Sequence, residues 1–283
     1  MQQEQTKSIF VAIVGRPNVG KSSLLNRMVG EKVAIVTAKP QTTRTRITGI
    51  LTRGAVQYVF LDTPGIHRPR TRLGERMAKA TADSVAEVDA VVMLFEPYGE
   101  LTEAEQALVE DIRVKKVPAL AAVNKTDTLK KETDLAVRMQ FLEKLGVFRG
   151  VLPLCVSEDR GCTELLDALL PFAVESPHYF PDDAYTDMPE KALVAEVLRE
   201  KMMLNLRDEI PHGTAVTVER FKERGDKDII DIDVNIYCEK KSHKGMIIGK
   251  GGQMLKKIAS EARVECEEFL GARVNLQCWV KIK

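Results

Sequence analysis

The eight residues GRPNVGKS (15–22) constrain what this chain can fold into more than any others. An apolar run, SIFVAIVG (8–15), precedes them and ends in glycine, as a buried strand does. KSSLLNRMVG (21–30) follows, with Leu24, Leu25 and Met28 at helical spacing and Gly30 at its end. A G-x-x-x-x-G-K-S loop between strand and helix is a phosphate cradle. Glycine lets the backbone wrap an anion with no β-carbon in the way. The helix beginning at Lys21 presents free N–H groups and the positive end of its dipole. Gly15 and Gly20 frame the loop, Lys21 reaches the outer phosphates, and Ser22 offers a hydroxyl to Mg²⁺.

Two further stretches specify the ligand. AVQYVFLDTPG (55–65) reads as a strand running into Asp-x-x-Gly. There Asp62 can hold Mg²⁺ through water, and the Gly65 N–H can meet a γ-phosphate. VPALAAVNKTD (117–127) reads as a buried strand entering Asn124-Lys125-x-Asp127. A carboxylate at Asp127 accepts from both the N1–H and the 2-amino group of guanine, a donor pair that adenine lacks. Alone, DTPG is a good β-turn and NKTD a plausible start to a helix. Three such stretches in this order, each after an apolar strand, point to GTP.

These residues resemble the translation-factor-like class of P-loop GTPases. That resemblance implies a switch loop in TAKPQTTRTR (37–46), with a Thr that binds Mg²⁺ only beside a γ-phosphate. Thr43, directly before Arg44, matches best and Thr42 next. It implies GTP and GDP contacts from Gly15, Asn18, Gly20, Lys21, Ser22, Ser23, Asp62, Gly65, Asn124, Lys125 and Asp127. Ser157 and Glu158 stand where relatives have Ser-Ala and present a backbone N–H to the guanine oxygen. Ser22, Thr43 and Asp62 form the expected metal set; Lys21, Thr43, Gly65 and Asn18 form the expected catalytic set. Ras-like enzymes orient the attacking water with a Gln after D-x-x-G; Ile66 occupies that place and cannot, so basal hydrolysis is expected to be slow. Asn18 matches an Asn that in some relatives goes with a K⁺ ion supplying transition-state charge, or it merely caps the loop; both readings stand.

Strand-like DAVVMLFE (89–96) and GVLPLCVS (150–157) alternate with helical 102–115, 131–145 and 162–174. This is an α/β pattern with a mostly parallel sheet, to which the 47–62 hairpin adds an antiparallel edge. ESPHYFPDDAYTDMPE (175–190) has three prolines, acidic residues and no periodicity, and reads as a linker. The expected layout is a nucleotide domain over 1–174, a linker over 175–190 and a second domain over 191–283.

The second domain holds another glycine-lysine loop, IIGKGG (247–252). A phosphate cradle ending at Lys250 needs glycine at 244 and Ser or Thr at 251; the chain has Lys244 and Gly251. A dinucleotide fingerprint starting at Gly249 needs glycine at 254, where Met254 stands. Helix 190–206, strands 214–224 and 228–242, helical 243–248 and 253–271, and strand 272–283 give α-β-β-α-α-β. With Gly-x-x-Gly between the two later helices, this smaller α+β domain resembles a type II KH domain, whose loop clamps about four single-stranded nucleotides. Lys244, Ile248, Gly249, Lys250, Gly251, Gly252 and Lys256 are the expected RNA contacts, with Ile247, Ile248 and Leu255 lining a groove for bases. Trp279, alone on the last strand, reads as core. The net charge is only +1, yet residues 239–257 carry six lysines and one acid.

A GTPase followed by a type II KH domain resembles the Era family of bacterial GTPases. The resemblance implies binding of 16S rRNA near its 3′ end, assistance to maturation of the small (30S) ribosomal subunit, a monomer, and a cytoplasmic location with peripheral contact at the inner face of the membrane. Two other readings compete: an RNA-binding factor whose nucleotide site has decayed, and a P-loop kinase for a small molecule. Intact Lys21, Ser22, Asp62 and Asp127 argue against the first, and NKTD would be idle in the second. The five cysteines form no C-x-x-C pair and the four histidines have no metal-ligand spacing. No apolar leader precedes the first strand, and no run approaches the roughly 20 apolar residues of a membrane span.

Overall fold

The computed structural model describes residues 5–39, 42–65, 81, 83–85, 87–207, 210–211, 213–225 and 228–283. The chain divides into two compact units: Met1–Ala34 with Pro40–Asp187, and Ile35–Lys39 with Met188–Lys283.

The first unit is built on β1 (Lys7–Gly15), where nearly every residue is buried. β3 (Val56–Asp62) and β4 (Ala90–Phe95) flank it in parallel, and β5 (Ala119–Val123) and β6 (Gly150–Pro153) continue the parallel sheet. β2 (Ile47–Arg53) pairs antiparallel with β3 at the edge. All six residues of β4 and all five of β5 are buried, so these strands read as unbroken apolar runs, the mark of a sheet covered on both faces. The covering helices include α1 (Lys21–Val29), α2 (Glu103–Lys115), α3 (Glu132–Lys144) and α4 (Cys162–Leu169). The loops at the carboxyl ends of β1, β3, β5 and β6 carry the four motif stretches, where ligands of open α/β sheets bind.

Two elements depart from the sequence reading, and the linker's tyrosines and Phe180 pack on the first unit as their aromatic character suggests. The helix expected over 162–174 ends at Leu169, because Pro171 lacks an N–H and its ring clashes with the preceding turn. The chain then forms β7 (Val174–Glu175), which pairs antiparallel with β1. The strand expected over 150–157 ends at Pro153 and becomes a short turn, Val156–Glu158. The linker region is pinned to the sheet. The buried Gln57 Oε1 accepts the Tyr179 and Phe180 N–H groups at 2.8 and 3.0 Å. Tyr179 meets Phe10 edge-on at 5.1 Å. Ile50 donates its N–H to Tyr185 O at 2.8 Å, which occupies part of the open edge of β2.

The second unit runs α5 (Glu190–Asn205), β8 (Thr214–Glu223), β9 (Ile229–Cys238), α6 (Lys241–Ile248), α7 (Gln253–Leu270) and β10 (Arg273–Ile282). β9 is central, antiparallel to β8 and parallel to β10. Val194 and Leu198 of α5, Ile232, Val234 and Ile236 of β9, and Ile258, Ala262 and Cys266 of α7 form its core. Trp279 is not core: it is 45% exposed, while its neighbour Val280 is 7% exposed. Strand alternation decides this, since β10 turns Val274, Leu276, Cys278 and Val280 to the core and Trp279 to the other face. Ile35–Lys39 belongs with this unit, the Val36 N–H donating to the buried Glu200 at 2.8 Å.

Candidate nucleotide and nucleic-acid sites

β1 ends at Gly15, the loop turns through Asn18 and Gly20, and α1 begins at Lys21. Gly20 has φ +107°, and a β-carbon there would lie 2.3 Å from Asn124 Nδ2. The loop can therefore close only on glycine. Lys21 is buried; its ammonium donates to Gly15 O at 3.1 Å and Arg16 O at 2.9 Å. Burial lowers its pKa to about 8, opposed by attraction to Asp62. A desolvated cation at a helix N-terminus is suited to a phosphate. Asn18 is exposed at the loop's rim with φ +62°, and Ser23 is half-buried in the first turn of α1.

Three oxygens converge beside Lys21. The Ser22 hydroxyl donates to Asp62 Oδ2 at 2.6 Å and lies 2.9 Å from the Thr43 hydroxyl, which sits 3.4 Å from the same Oδ2. Thr43, 7% exposed, is the threonine of the 37–46 stretch that meets this pair. Asp62 is fully buried, and its Oδ1 has no hydrogen-bond partner among the described residues. Burial raises the Asp62 pKa, countered by Lys21 and by the hydroxyls of Ser22 and Thr43. Two hydroxyls and a carboxylate with an unused buried oxygen are hard donors that fit Mg²⁺. Thr63 donates to Ile13 O at 2.9 Å and fixes the strand end. Gly65 packs on the phosphate loop so closely that a β-carbon would lie 2.7 Å from Pro17 N and Cα. Ile66 lies outside the described residues.

The guanine-side residues come from two loops. Asn124 donates to Val19 O at 2.8 Å and accepts the Val156 N–H at 3.2 Å, so one side chain ties three loops together. Asp127 is exposed, as a base-reading carboxylate needs to be. Cys155 Sγ donates to its Oδ1 at 3.1 Å and lies 3.3 Å from Ser157 Oγ. The sequence assigns Cys155 no role; the thiol is free, but its hydrogen-bond partner lies 28 residues away and no local pattern announces the pair. The Glu158 N–H closes onto Cys155 O at 3.1 Å, and the Glu158 side chain pairs with Arg160. A guanine oxygen at that N–H would have to share it with the turn.

In the second unit, α6 ends at Ile248 and α7 starts at Gln253, with Gly249-Lys250-Gly251-Gly252 between. Gly249, Gly251 and Gly252 have φ of +74°, +60° and +80°. Space is open where β-carbons would stand at Gly251 and Gly252. Lys250 and Lys256 are exposed; Lys244 and Ile248 are half-buried. Ile247 does not line a groove: it is fully buried in the core, one position round the helix from Ile248. Ile248 and Leu255 keep partial exposure. The turn offers close backbone approach, cations and apolar surface, which single-stranded nucleic acid requires.

Comparisons with known proteins agree. Residues 10–125 match the 50S ribosome-binding GTPase family, and residues 209–283 match the KH domain family. The chain is 45% identical to GTPase Era of Clostridioides difficile (strain 630), covering 98% of this chain and 93% of that protein. It is 46% identical to GTPase Era of Caldicellulosiruptor saccharolyticus, covering 98% and 92%. Its fold matches the crystal structure of a point variant of Aquifex aeolicus Era bound to GDP and aluminium fluoride, with a TM-score of 0.93, 33% identity, and 98% and 94% coverage. A structure of Era in complex with MgGDPNP and nucleotides 1506–1542 of 16S ribosomal RNA matches equally, with a TM-score of 0.93 and 33% identity over 98% and 94% of the two chains. With two relatives at least 45% identical over 98% of this chain and both domain families matched, the chain belongs to the Era family of GTPases.

Proposed function

We propose that this protein couples hydrolysis of GTP to binding of 16S rRNA near its 3′ end, and so assists maturation of the small ribosomal subunit in the cytoplasm. It does so as a monomer, over a nucleotide domain at 1–174, a linker at 175–190 and an RNA domain at 191–283. The observation that carries the reading is an oxygen cradle beside a buried lysine in a chain that also presents an open, lysine-bearing GKGG turn. Lys21 would hold the outer phosphates, and Asp127, Lys125 and Asn124 would select guanine. Ser22, Thr43 and Asp62 would hold Mg²⁺, which when bound supplies positive charge to the phosphate oxygens. Gly65 would offer its N–H to the γ-phosphate. Asn18 would either cap the loop or hold a K⁺ at its rim that supplies transition-state charge. Lys244, Lys250 and Lys256 would meet RNA phosphates, with Ile248 beside the bases and Gly249, Gly251 and Gly252 admitting the backbone. Peripheral contact with the inner face of the membrane rests on family resemblance alone; among the described residues no helix is long and apolar enough to cross a membrane.

Ultraviolet crosslinking to total ribosomal RNA tests the proposal. Crosslinks from 239–257 should map to the 3′ end of 16S rRNA, and turnover should be seen with GTP and not with ATP. Crosslinks spread evenly over both large rRNAs, or equal turnover of ATP, would overturn it.

A further inference from the structure

Beyond the motif residues, one carboxylate stands between the two nucleotide loops. Glu96 follows the last residue of β4, Phe95. Its Oε2 lies 3.2 Å from Arg16 Nη2, in the phosphate loop. Its Oε1 lies 2.9 Å from Lys125 Nζ, in the guanine-reading loop. Each oxygen thus serves a different loop. The backbone beneath is fixed as well: Arg138 on α3 donates from Nε to Glu96 O at 3.1 Å and from Nη1 to Gly99 O at 2.7 Å. Arg16 is held a second time. Its Nε lies 3.1 Å from Oε1 of Glu105, which is fully buried, while Glu105 Oε2 accepts the Thr102 N–H and hydroxyl at 2.8 Å each in the capping box of α2. The Arg16 end is therefore ion-paired, though not hydrogen-bonded, to a carboxylate fixed at a helix terminus, and the Glu96 end is tied to α3.

We propose that Glu96 is a positioning residue for nucleotide binding. It spans the phosphate loop and the guanine loop and holds them at the separation that one guanine nucleotide bridges. Arg16 is its anchor on the phosphate side. A bound nucleotide leaves when its two ends are freed, and a fixed span makes both loops hold it together. Removing the span lets each loop relax alone, so release accelerates. The Glu96 pairs are partly exposed, with side-chain exposures of 23% for Arg16, 29% for Glu96 and 36% for Lys125, so each contact is modest and salt-sensitive. Their effect lies in geometry rather than in bulk stability. This inference rests on the nucleotide-site reading above.

The test follows release of a fluorescent GDP from wild type, Glu96→Gln, Glu96→Asp, Arg16→Gln and the double variant Arg16→Gln/Glu96→Gln, beside the thermal midpoint of each nucleotide-free protein. Glu96→Gln should release GDP about tenfold faster, because in the bound state each partly exposed pair couples its loop to the nucleotide by up to about 1 kcal/mol. Its nucleotide-free midpoint should stay close to wild type. The double variant should be no faster than Glu96→Gln, because either change cuts the same span. Glu96→Asp keeps the charge but is one methylene too short to reach both cations, so it should stay fast. Release within twofold of wild type in Glu96→Gln overturns the proposal. So does strict additivity in the double variant, or full recovery in Glu96→Asp, which would mean that charge alone matters. If Glu96→Gln fails to fold, Arg16→Gln and Glu96→Asp carry the same decision. Wild type that binds no GDP would sink the nucleotide-site reading itself, a result distinct from all of these.

Discussion

Gly65 offers a sharp separation of GTP from GDP. In Gly65→Ala the new β-carbon would lie 2.7 Å from both N and Cα of Pro17, against 3.4 Å where ordinary contact begins, a shortfall of 0.7 Å. The obstacle is backbone, and Pro17 is held in a loop tied down through Lys21 and Asn124. Relief must come from residue 65 moving away from the phosphate loop. A displacement of that size takes its N–H out of hydrogen-bond range of a γ-phosphate. A hydrogen bond to a charged group contributes about 1.5–3 kcal/mol, so affinity for the hydrolysis-resistant analogue GDPNP should fall roughly 10- to 150-fold. GDP has no γ-phosphate and should bind within about twofold of wild type. The assay is displacement of a fluorescent GDP by GDP and by GDPNP, both with Mg²⁺, with thermal unfolding of the nucleotide-free proteins as control. Equal losses for the two nucleotides, or no loss for GDPNP, would refute the reasoning.

Asp127→Asn should weaken GTP by about tenfold or more, through loss of charge-assisted hydrogen bonds, and shift preference to xanthosine triphosphate; a competition titration with the two nucleotides reads this directly. If Asn18 holds K⁺, replacing K⁺ by Na⁺ should slow single-turnover hydrolysis several-fold, and Asn18→Ala should abolish the difference; equal rates in both salts for wild type would reduce Asn18 to a loop cap.

The three nucleotide stretches were legible in the sequence because each is a local strand-loop signal whose chemistry sits within a few residues. The second domain was legible through its element order and its GKGG turn. What escaped depends on contacts between distant stretches. Cys155 and Asp127 are 28 residues apart, and Glu96 and Arg16 are 80 apart. Glu105 had a local signal, the Thr-x-x-Glu of its capping box, but nothing local shows that the same carboxylate holds Arg16. Trp279 and Ile247 were each assigned to the wrong surroundings for one reason. Apolar character says that a residue prefers burial, while the register of a strand or helix decides which face it takes. Pro171 was a readable stop signal inside the helix drawn over 162–174, and the structure honours it.

The central claim is that the two glycine-lysine loops do different work, one on GTP and one on RNA. Lys250→Asp/Gly251→Asp tests it most directly. Both positions are exposed, the flanking Gly249 and Gly252 are kept, and the two new carboxylates would face RNA phosphates. Gly251 has φ +60°, which Asp tolerates better than most side chains. An RNA oligonucleotide with the sequence of the 3′ end of 16S rRNA is titrated at several salt concentrations, beside GTP affinity on the same preparation. The account predicts much weaker RNA binding with a log–log salt slope shallower by about 0.7 for the lost lysine contact, and GTP affinity within about twofold of wild type. Undiminished RNA binding would make GKGG a mere turn between helices, and loss of GTP binding in its place would contradict the assignment of the two loops.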